Sequence, residues 1–359
     1  MAHVTIIAEA GVNHNGNLDM ALRLIDAAAD AGADMVKFQT FTAAKAVTAA
    51  AKSAEYQVRN TGVDDGQLAM LRALELDEAA HKVLVAHCRA RGIVFLSTPF
   101  DDDSTDLLTL TLGLKLVKVG SGEMTNGPHL LRLARRGLDV ILSTGMATLG
   151  EVKEALGVLA FGYAGGEHPS FAAFAAALAS PAGRAALTQK VTLLHCTSNY
   201  PAPTAEINLA VMDTFRAQFP LRVGFSDHSD GIAIPVAAVG RGAVMIEKHL
   251  TLDRKLPGPD HVASIEPPAF AQMVRAIREV QLAIGSPEKQ PTPSELKTMP
   301  VARKSLVAAR AINAGEAFGP GNIAIKRPGS GMAPNLIWEL TGRPASRAYI
   351  QDELIAEAV

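Results

Sequence analysis

LRVGFSDHSDG, residues 221–231, sets the pattern of the chain. It opens as a short apolar run with none of the polar alternation of a half-exposed strand. Such a run suits a strand buried on both faces, as in a parallel sheet. It stops at Ser226, Asp227 and His228, and a helix-like segment follows at once. Seven other stretches repeat the arrangement: VTIIAE (4–9), DMVKFQ (34–39), IVFLS (93–97), LKLVKVG (114–120), DVILST (139–144), VTLLHCT (191–197) and AVMIEKH (243–249). Between them lie helical segments such as LDMALRLIDAAADAG (18–32), EAAHKVLVAHCRARG (78–92) and PPAFAQMVRAIREVQLAIG (267–285).

Eight strand–helix repeats predict an α/β fold, a closed (β/α)8 TIM barrel over residues 1–285. An open doubly wound sheet fits less well. No convincing glycine-rich dinucleotide turn follows the first strand, and GSGEMTNG (120–127) is only superficially of that type. Two segments break the rhythm. The alanine-rich insertion 161–190, before the sixth strand, reads as an extra surface helix. Residues 286–300, SPEKQPTPSELKTMP, read as a linker from their proline, serine and charge. The tail, 301–359, holds the strand-like pieces KSLVAAR and NIAIKRP and reads as a small β-rich domain.

The 359 residues carry a net charge of −2 and no lysine- or arginine-rich block, so nucleic acid is a poor partner. Cys88 and Cys196 each sit in an apolar run, which predicts buried free thiols in a reducing compartment. MAHVTIIAEAG has no basic lead and reads as a strand rather than a signal peptide. No apolar stretch approaches the roughly 20 residues needed to cross a bilayer. A soluble cytoplasmic protein is expected, with no membrane partner.

In such a barrel the site forms at and just beyond the carboxyl ends of the strands. In order, those ends offer Glu9 and the loop GVNHNG; Lys37 and Gln39; Thr98 and Phe100; Lys118, Ser121 and Glu123; Ser143 and Thr144; His195, Ser198 and Tyr200; Ser226, Asp227 and His228; and Glu247, Lys248 and His249, followed by LPGPDH with Asp260. A barrel without function would bury apolar side chains there.

His228 and His249 end neighbouring strands and can converge on one divalent ion, with its other positions left to water or substrate. With no cysteine ligand, a Mn2+-type or Mg2+-type role fits better than structural zinc. The alternative is that both are hydrogen-bonded core histidines. Lys37 and Lys118 suggest an anion, because a buried unpaired ammonium is costly, and Ser121, Gly122 and Ser143 could surround phosphate oxygens. Alternatively, each lysine pairs with Glu9, Glu123 or Glu247. Glu9 and Asp260 remain as carboxylates for proton transfer or hydroxyl binding.

AEAGVNHNG (8–16), VKFQTF (36–41), STPFD (97–101), VKVGSGE (117–123), ILSTGM (141–146), LLHCTSNYPAP (193–203), GFSDHSDG (224–231), IEKHLTLD (246–253) and LPGPDH (256–261) together resemble the sialic acid (N-acetylneuraminate, nonulosonate) synthase family. KSLVAARAINAGEAF and KRPGSGMAP resemble its antifreeze-like (SAF, β-clip) domain. The resemblance implies a transferase that condenses phosphoenolpyruvate with an open-chain N-acyl amino sugar. C–O cleavage then releases phosphate. N-acetylmannosamine would give N-acetylneuraminate; a 2,4-diacetamido-trideoxyhexose would give a legionaminate or pseudaminate. It implies His228 and His249 as ligands of a divalent metal, Mn2+ ahead of Mg2+ or Co2+. Lys37, Thr98, Lys118, Ser121, Ser143 and Ser226 would hold phosphoenolpyruvate. Gln39, Tyr200 and Asp260 would face the sugar, and Glu9 would assist proton transfer. Arg327 would reach the sugar's acyl group from a second subunit, which implies a domain-swapped homodimer. Two rival classes remain: a Schiff-base aldolase using Lys37, Lys118 or Lys248, and a non-catalytic sugar-binding protein.

Overall fold

The structure, a computed structural model, describes residues 3–52, 58 and 66–358. It places eight parallel strands where the apolar runs predict them: β1 Thr5–Gly11, β2 Met35–Thr40, β3 Val94–Pro99, β4 Leu116–Val119, β5 Asp139–Ser143, β6 Val191–His195, β7 Arg222–Asp227 and β8 Met245–His249. β1 pairs with β2 on one side and with β8 on the other. First strand joined to last makes a barrel and rules out the open doubly wound sheet. The ladders run β3-β2-β1-β8-β7-β6-β5-β4, and β3 lies beside β4 at the remaining seam.

Side chains alternate along each strand, so every strand serves two environments. Ile6, Ala8, Val36, Phe38, Leu142, Phe225 and Ile246 belong to the main core beneath the surrounding helices. Ile7, Leu96, Ile141, Leu194 and Met245 form a separate apolar plug inside the barrel. β7 supplies only Gly224 at that level. A Cβ there would stand 2.5 Å from the Met245 carbonyl oxygen and 2.6 Å from Leu194 Cδ2. The neighbouring strands fill the space it leaves.

The same alternation sends Asp227 and Lys248 outward, away from the barrel axis. They meet as a fully buried ion pair, Nζ to Oδ2 2.6 Å. Ser229 completes the pair by donating its N–H and hydroxyl to Asp227 Oδ1 at 2.9 and 2.7 Å.

The insertion 161–190 contains two short helices rather than one, Phe171–Ala179 and Pro181–Lys190. Ser180 explains the break: it ends the first and caps the second, its hydroxyl accepting from the Gly183 N–H at 3.0 Å. Phe174 packs edge-on against Phe161, ring centroids 5.2 Å apart, so the insertion covers the helix Leu149–Tyr163.

Chain contacts divide the protein into Met1–Gly285 and Ser286–Val359. The segment 286–300 carries most of a helix, Pro293–Ala302, started by a Thr292–Glu295 capping box. Beyond it, β9 Ser305–Ala308 and β10 Ile323–Lys326 pair antiparallel. This unit has its own core, which includes Leu306, Phe318, Leu340 and Tyr349. Both cysteines are buried and free. No helix among the described residues is long and apolar enough to cross a membrane.

Gly224→Ala tests the plug. Overpacking of this kind costs about 1–3 kcal/mol, read as a lower urea midpoint. A wild-type midpoint would show that the plug yields freely.

Candidate active site

A cavity of about 630 Å³ opens at the carboxyl ends of the barrel strands. Every barrel residue expected to bind metal, phosphoenolpyruvate or sugar, or to assist the chemistry, lines it. Arg327 lies in the second unit, where it is exposed and its Nε donates to the Ala302 carbonyl at 3.1 Å.

The throat of the cavity is charged. Lys37 Nζ stands 2.7 Å from Glu9 Oε2 and 3.5 Å from Glu247 Oε2. Lys118 Nζ stands 3.4 Å from Glu247 Oε1. All four are buried, none more than 4% exposed. Lys37 also donates to Thr98 Oγ1 at 3.3 Å, and Ser226 Oγ donates to Glu247 Oε1 at 2.8 Å. Both lysines are therefore paired at rest, as the alternative reading anticipated, with Glu247 as the hub. Glu123 takes no part; it accepts from Asn126 at 2.6 Å.

Burial outweighs the pull of Lys37 and pushes the Glu9 carboxyl up to about 7. Burial would also raise Glu247, but Lys118 and Lys37 hold it down to about 2. Burial lowers the Lys118 ammonium more than Glu247 restores it, whereas Glu247 and Glu9 outweigh burial at Lys37 and raise it. Glu9 is thus the throat group ready to change its protonation near neutral pH. Asp260 is pushed up to about 6 by burial, with Lys37 pulling the other way.

His228 and His249 stand with ring centroids 5.5 Å apart. Tyr200 lies tilted over His228, ring centroids 4.2 Å apart, and meets His249 edge-on at 5.6 Å, which limits how either ring can turn. The His228 Nδ1–H donates to the Thr197 carbonyl at 2.6 Å, which leaves Nε2 as the acceptor nitrogen, 3.4 Å from Ser226 Oγ. His249 Nδ1 is buried without a hydrogen-bond partner. Burial drives both rings toward neutrality, His228 down to about 4 and His249 well below the usual range. Two neutral imidazoles, one with an orphaned nitrogen, fit a divalent ion. Among the described residues no three His, Cys, Asp or Glu gather around one point. The protein therefore offers two donors, and water or substrate would fill the remaining positions.

Several polar strand ends do other work. His195 Nε2 donates to the Ile207 carbonyl at 2.6 Å, and Thr144 Oγ1 to the Leu194 carbonyl at 2.9 Å. Lys248 is held by Asp227 outside the barrel, which removes it as an imine-forming lysine.

Other contributors were not legible beforehand. Cys196 reads in sequence only as a buried thiol, yet its Sγ is 3.2 Å from Ser121 Oγ, which in turn accepts from the Gly145 N–H at 2.9 Å. Asn13 sits in a loop without periodicity. Its Nδ2 donates to the Leu250 carbonyl at 2.9 Å and Ser264 Oγ at 2.8 Å, and Ser264 Oγ donates to the Asp260 carbonyl at 2.7 Å. The loop after β1 thereby fixes the loop after β8.

The NeuB family model matches residues 24–289, and the SAF domain model matches 303–358. The N,N'-diacetyllegionaminic acid synthase of Campylobacter jejuni is 47% identical over 99% of this chain and 100% of its own length. That of Legionella pneumophila is 42% identical over 94% of this chain and 89% of its own. An N-acetylneuraminate-9-phosphate synthase (Homo sapiens) and a pseudaminic acid synthase (Helicobacter pylori) match at 32% and 30%. Among solved structures, the N-acetylneuraminic acid synthetase of Leptospira borgpetersenii, in complex with citrate, superposes with a TM-score of 0.66. It shares 32% identity and covers 82% of this chain and 90% of its own.

Asp260 gives a pH test. Its folded-state pKa is raised, so the stability it contributes is present below about pH 4 and is lost as pH rises through about 6. The loss is on the order of 3 kcal/mol. In chelator-treated protein, Asp260→Asn should gain that much relative to wild type between pH 4 and pH 7 by urea unfolding. An unchanged difference across that range would show that Asp260 is not held protonated.

Proposed function

The chain belongs to the NeuB family, the sialic acid synthases that its motifs resemble, and from that premise we propose that it is a nonulosonic acid synthase. It condenses phosphoenolpyruvate with an open-chain, N-acylated amino sugar. The carrying observation is one cavity that holds a lysine pair and, beside it, two neutral imidazoles.

Lys37 and Lys118, with Thr98, Ser121, Ser143 and Ser226, hold phosphoenolpyruvate, whose charge competes with Glu9 and Glu247 for the two ammonium groups. His228 and His249 hold a divalent ion, Mn2+ in this reading, which when bound supplies Lewis-acid polarisation of the sugar aldehyde. Gln39, Tyr200 and Asp260 orient the sugar so that its carbonyl carbon faces C3 of the enol. C3 attacks that carbon, and positive charge develops at C2. Water adds at C2, and Glu9 accepts one of its protons and passes it to the alkoxide left at the former aldehyde. As the C2–O bond to phosphate breaks, C2 becomes a carbonyl and the second water proton leaves with the phosphate. The lysines stabilise the departing phosphate throughout, and burial keeps their charge effective. Arg327 approaches the acyl group from a second copy, in a domain-swapped homodimer.

For the sugar, the sequence reading put N-acetylmannosamine first. The higher identity to two N,N'-diacetyllegionaminic acid synthases, 47% and 42% against 32% for the neuraminate-9-phosphate enzyme, favours the 2,4-diacetamido-trideoxyhexose instead.

Phosphate release from phosphoenolpyruvate with Mn2+ and each sugar is the deciding assay. The diacetamido sugar should be the better substrate, and chelator should stop turnover. His228→Ala and His249→Ala should each lose more than the roughly 100-fold that follows changes behind a metal ligand, with the unfolding midpoint little changed. Full activity of either variant in chelator would refute the metal role. A borohydride-trapped adduct on Lys37 or Lys118 would establish the Schiff-base rival instead.

A further inference from the structure

The cavity has a second wall that plays no part in the chemistry above. Val12, Phe41, Leu74, Met70, Leu71 and Phe100 form a single apolar cluster along it. Phe41 and Phe100 meet edge to face at 6.2 Å. Val12, Phe41 and Leu74 are buried, while Met70, Leu71 and Phe100 are half-buried and line the cavity. Four of the six belong to the long connection between β2 and β3, and Met70 and Leu71 ride on its helix Gln67–Arg72. None of the six side chains offers a hydrogen bond beyond the weak thioether acceptor of Met70.

Resting on the synthase reading, we propose that this wall is the subsite that selects the sugar, and that it takes amino hexoses whose far end is apolar: 6-deoxy sugars carrying N-acyl groups. The lysines fix one reactant and the imidazoles fix the aldehyde of the other. Gln39, Tyr200 and Asp260 hold polar groups of the sugar nearer the aldehyde, and its far end runs along the apolar lining that none of these claims. A methyl group against this wall gains contact. A hydroxyl against these six side chains gives up its water and gains no hydrogen bond from them. Apolar pockets reject an added hydroxyl by up to about 100-fold, so the wall sets a preference rather than an absolute bar. The throat, built on the strands, is indifferent to that choice.

The test compares kcat/KM for a 2,4-diacetamido-2,4,6-trideoxyhexose with that for N-acetylmannosamine, at saturating phosphoenolpyruvate and Mn2+. Wild type should prefer the deoxy sugar by about 10- to 100-fold. Met70→Gln, nearly equal in length, should cut that preference by about tenfold through the sugar's KM, with the KM for phosphoenolpyruvate unmoved. Met70→Leu should keep the preference. Leu71→Gln, a second polar change on the same wall, should act in the same direction as Met70→Gln. An unaltered preference in both polar variants overturns the subsite while leaving the synthase reading intact. Wild type that releases phosphate with neither sugar overturns both.

Discussion

Two lysines and two glutamates share one buried throat, and the rest of the site is arranged around that fact. Any one of these charges alone would be expensive to bury, and removing one partner would strand another. Together, Glu9, Lys37, Glu247 and Lys118 come close to neutrality. Because burial raises the Glu9 carboxyl to about 7, close to neutral pH, the balance can shift by a proton when an anion arrives. The cations are thus held in place before the substrate enters, and no solvent must be reorganised to bring them there.

The throat can be polar because the barrel interior is stratified. The plug of Ile7, Leu96, Ile141, Leu194 and Met245 seals the lower level. Two residues further along, the same strands present Glu9, Thr98, Ser143 and Glu247. A period of two therefore turns one apolar strand into a structural layer and a chemical layer. Gly224 is part of this design, since its missing side chain lets β6 and β8 fill the plug beside Ser226.

How much of this could be read in advance follows from that period. The eight apolar runs carried the barrel, because burial on both faces leaves an uninterrupted hydrophobic signature. Strand ends pointed to the residues that line the cavity, yet they could not separate inward from outward. Asp227 and His228 are adjacent in sequence, and one bonds Lys248 outside the barrel while the other faces His249 within it. Glu247 looked like one carboxylate among several and proved to be the hub. The Asn13 clamp and the Cys196–Ser121 contact join residues far apart in the chain, and no local pattern announces them. The break in the insertion depended on one serine that both ends and starts a helix.

Glu247 also couples the two halves of the chemistry. It receives Ser226, Lys37 and Lys118, and it sits two residues before His249 on the same strand. Ser226 in turn lies 3.4 Å from His228 Nε2. A shift of either imidazole is therefore felt at the lysines through one carboxylate and one hydroxyl. The apolar wall, four of its six residues on the connection after β2, stands outside this network and touches none of its charges through a hydrogen bond. Under the proposed function, that separation would let the connection change with the sugar while the throat kept one geometry for the enol phosphate. The reverse does not hold: in the proposed reaction a change in the throat would alter anion binding and carbonyl activation together, because Glu247 and Ser226 touch the groups assigned to both.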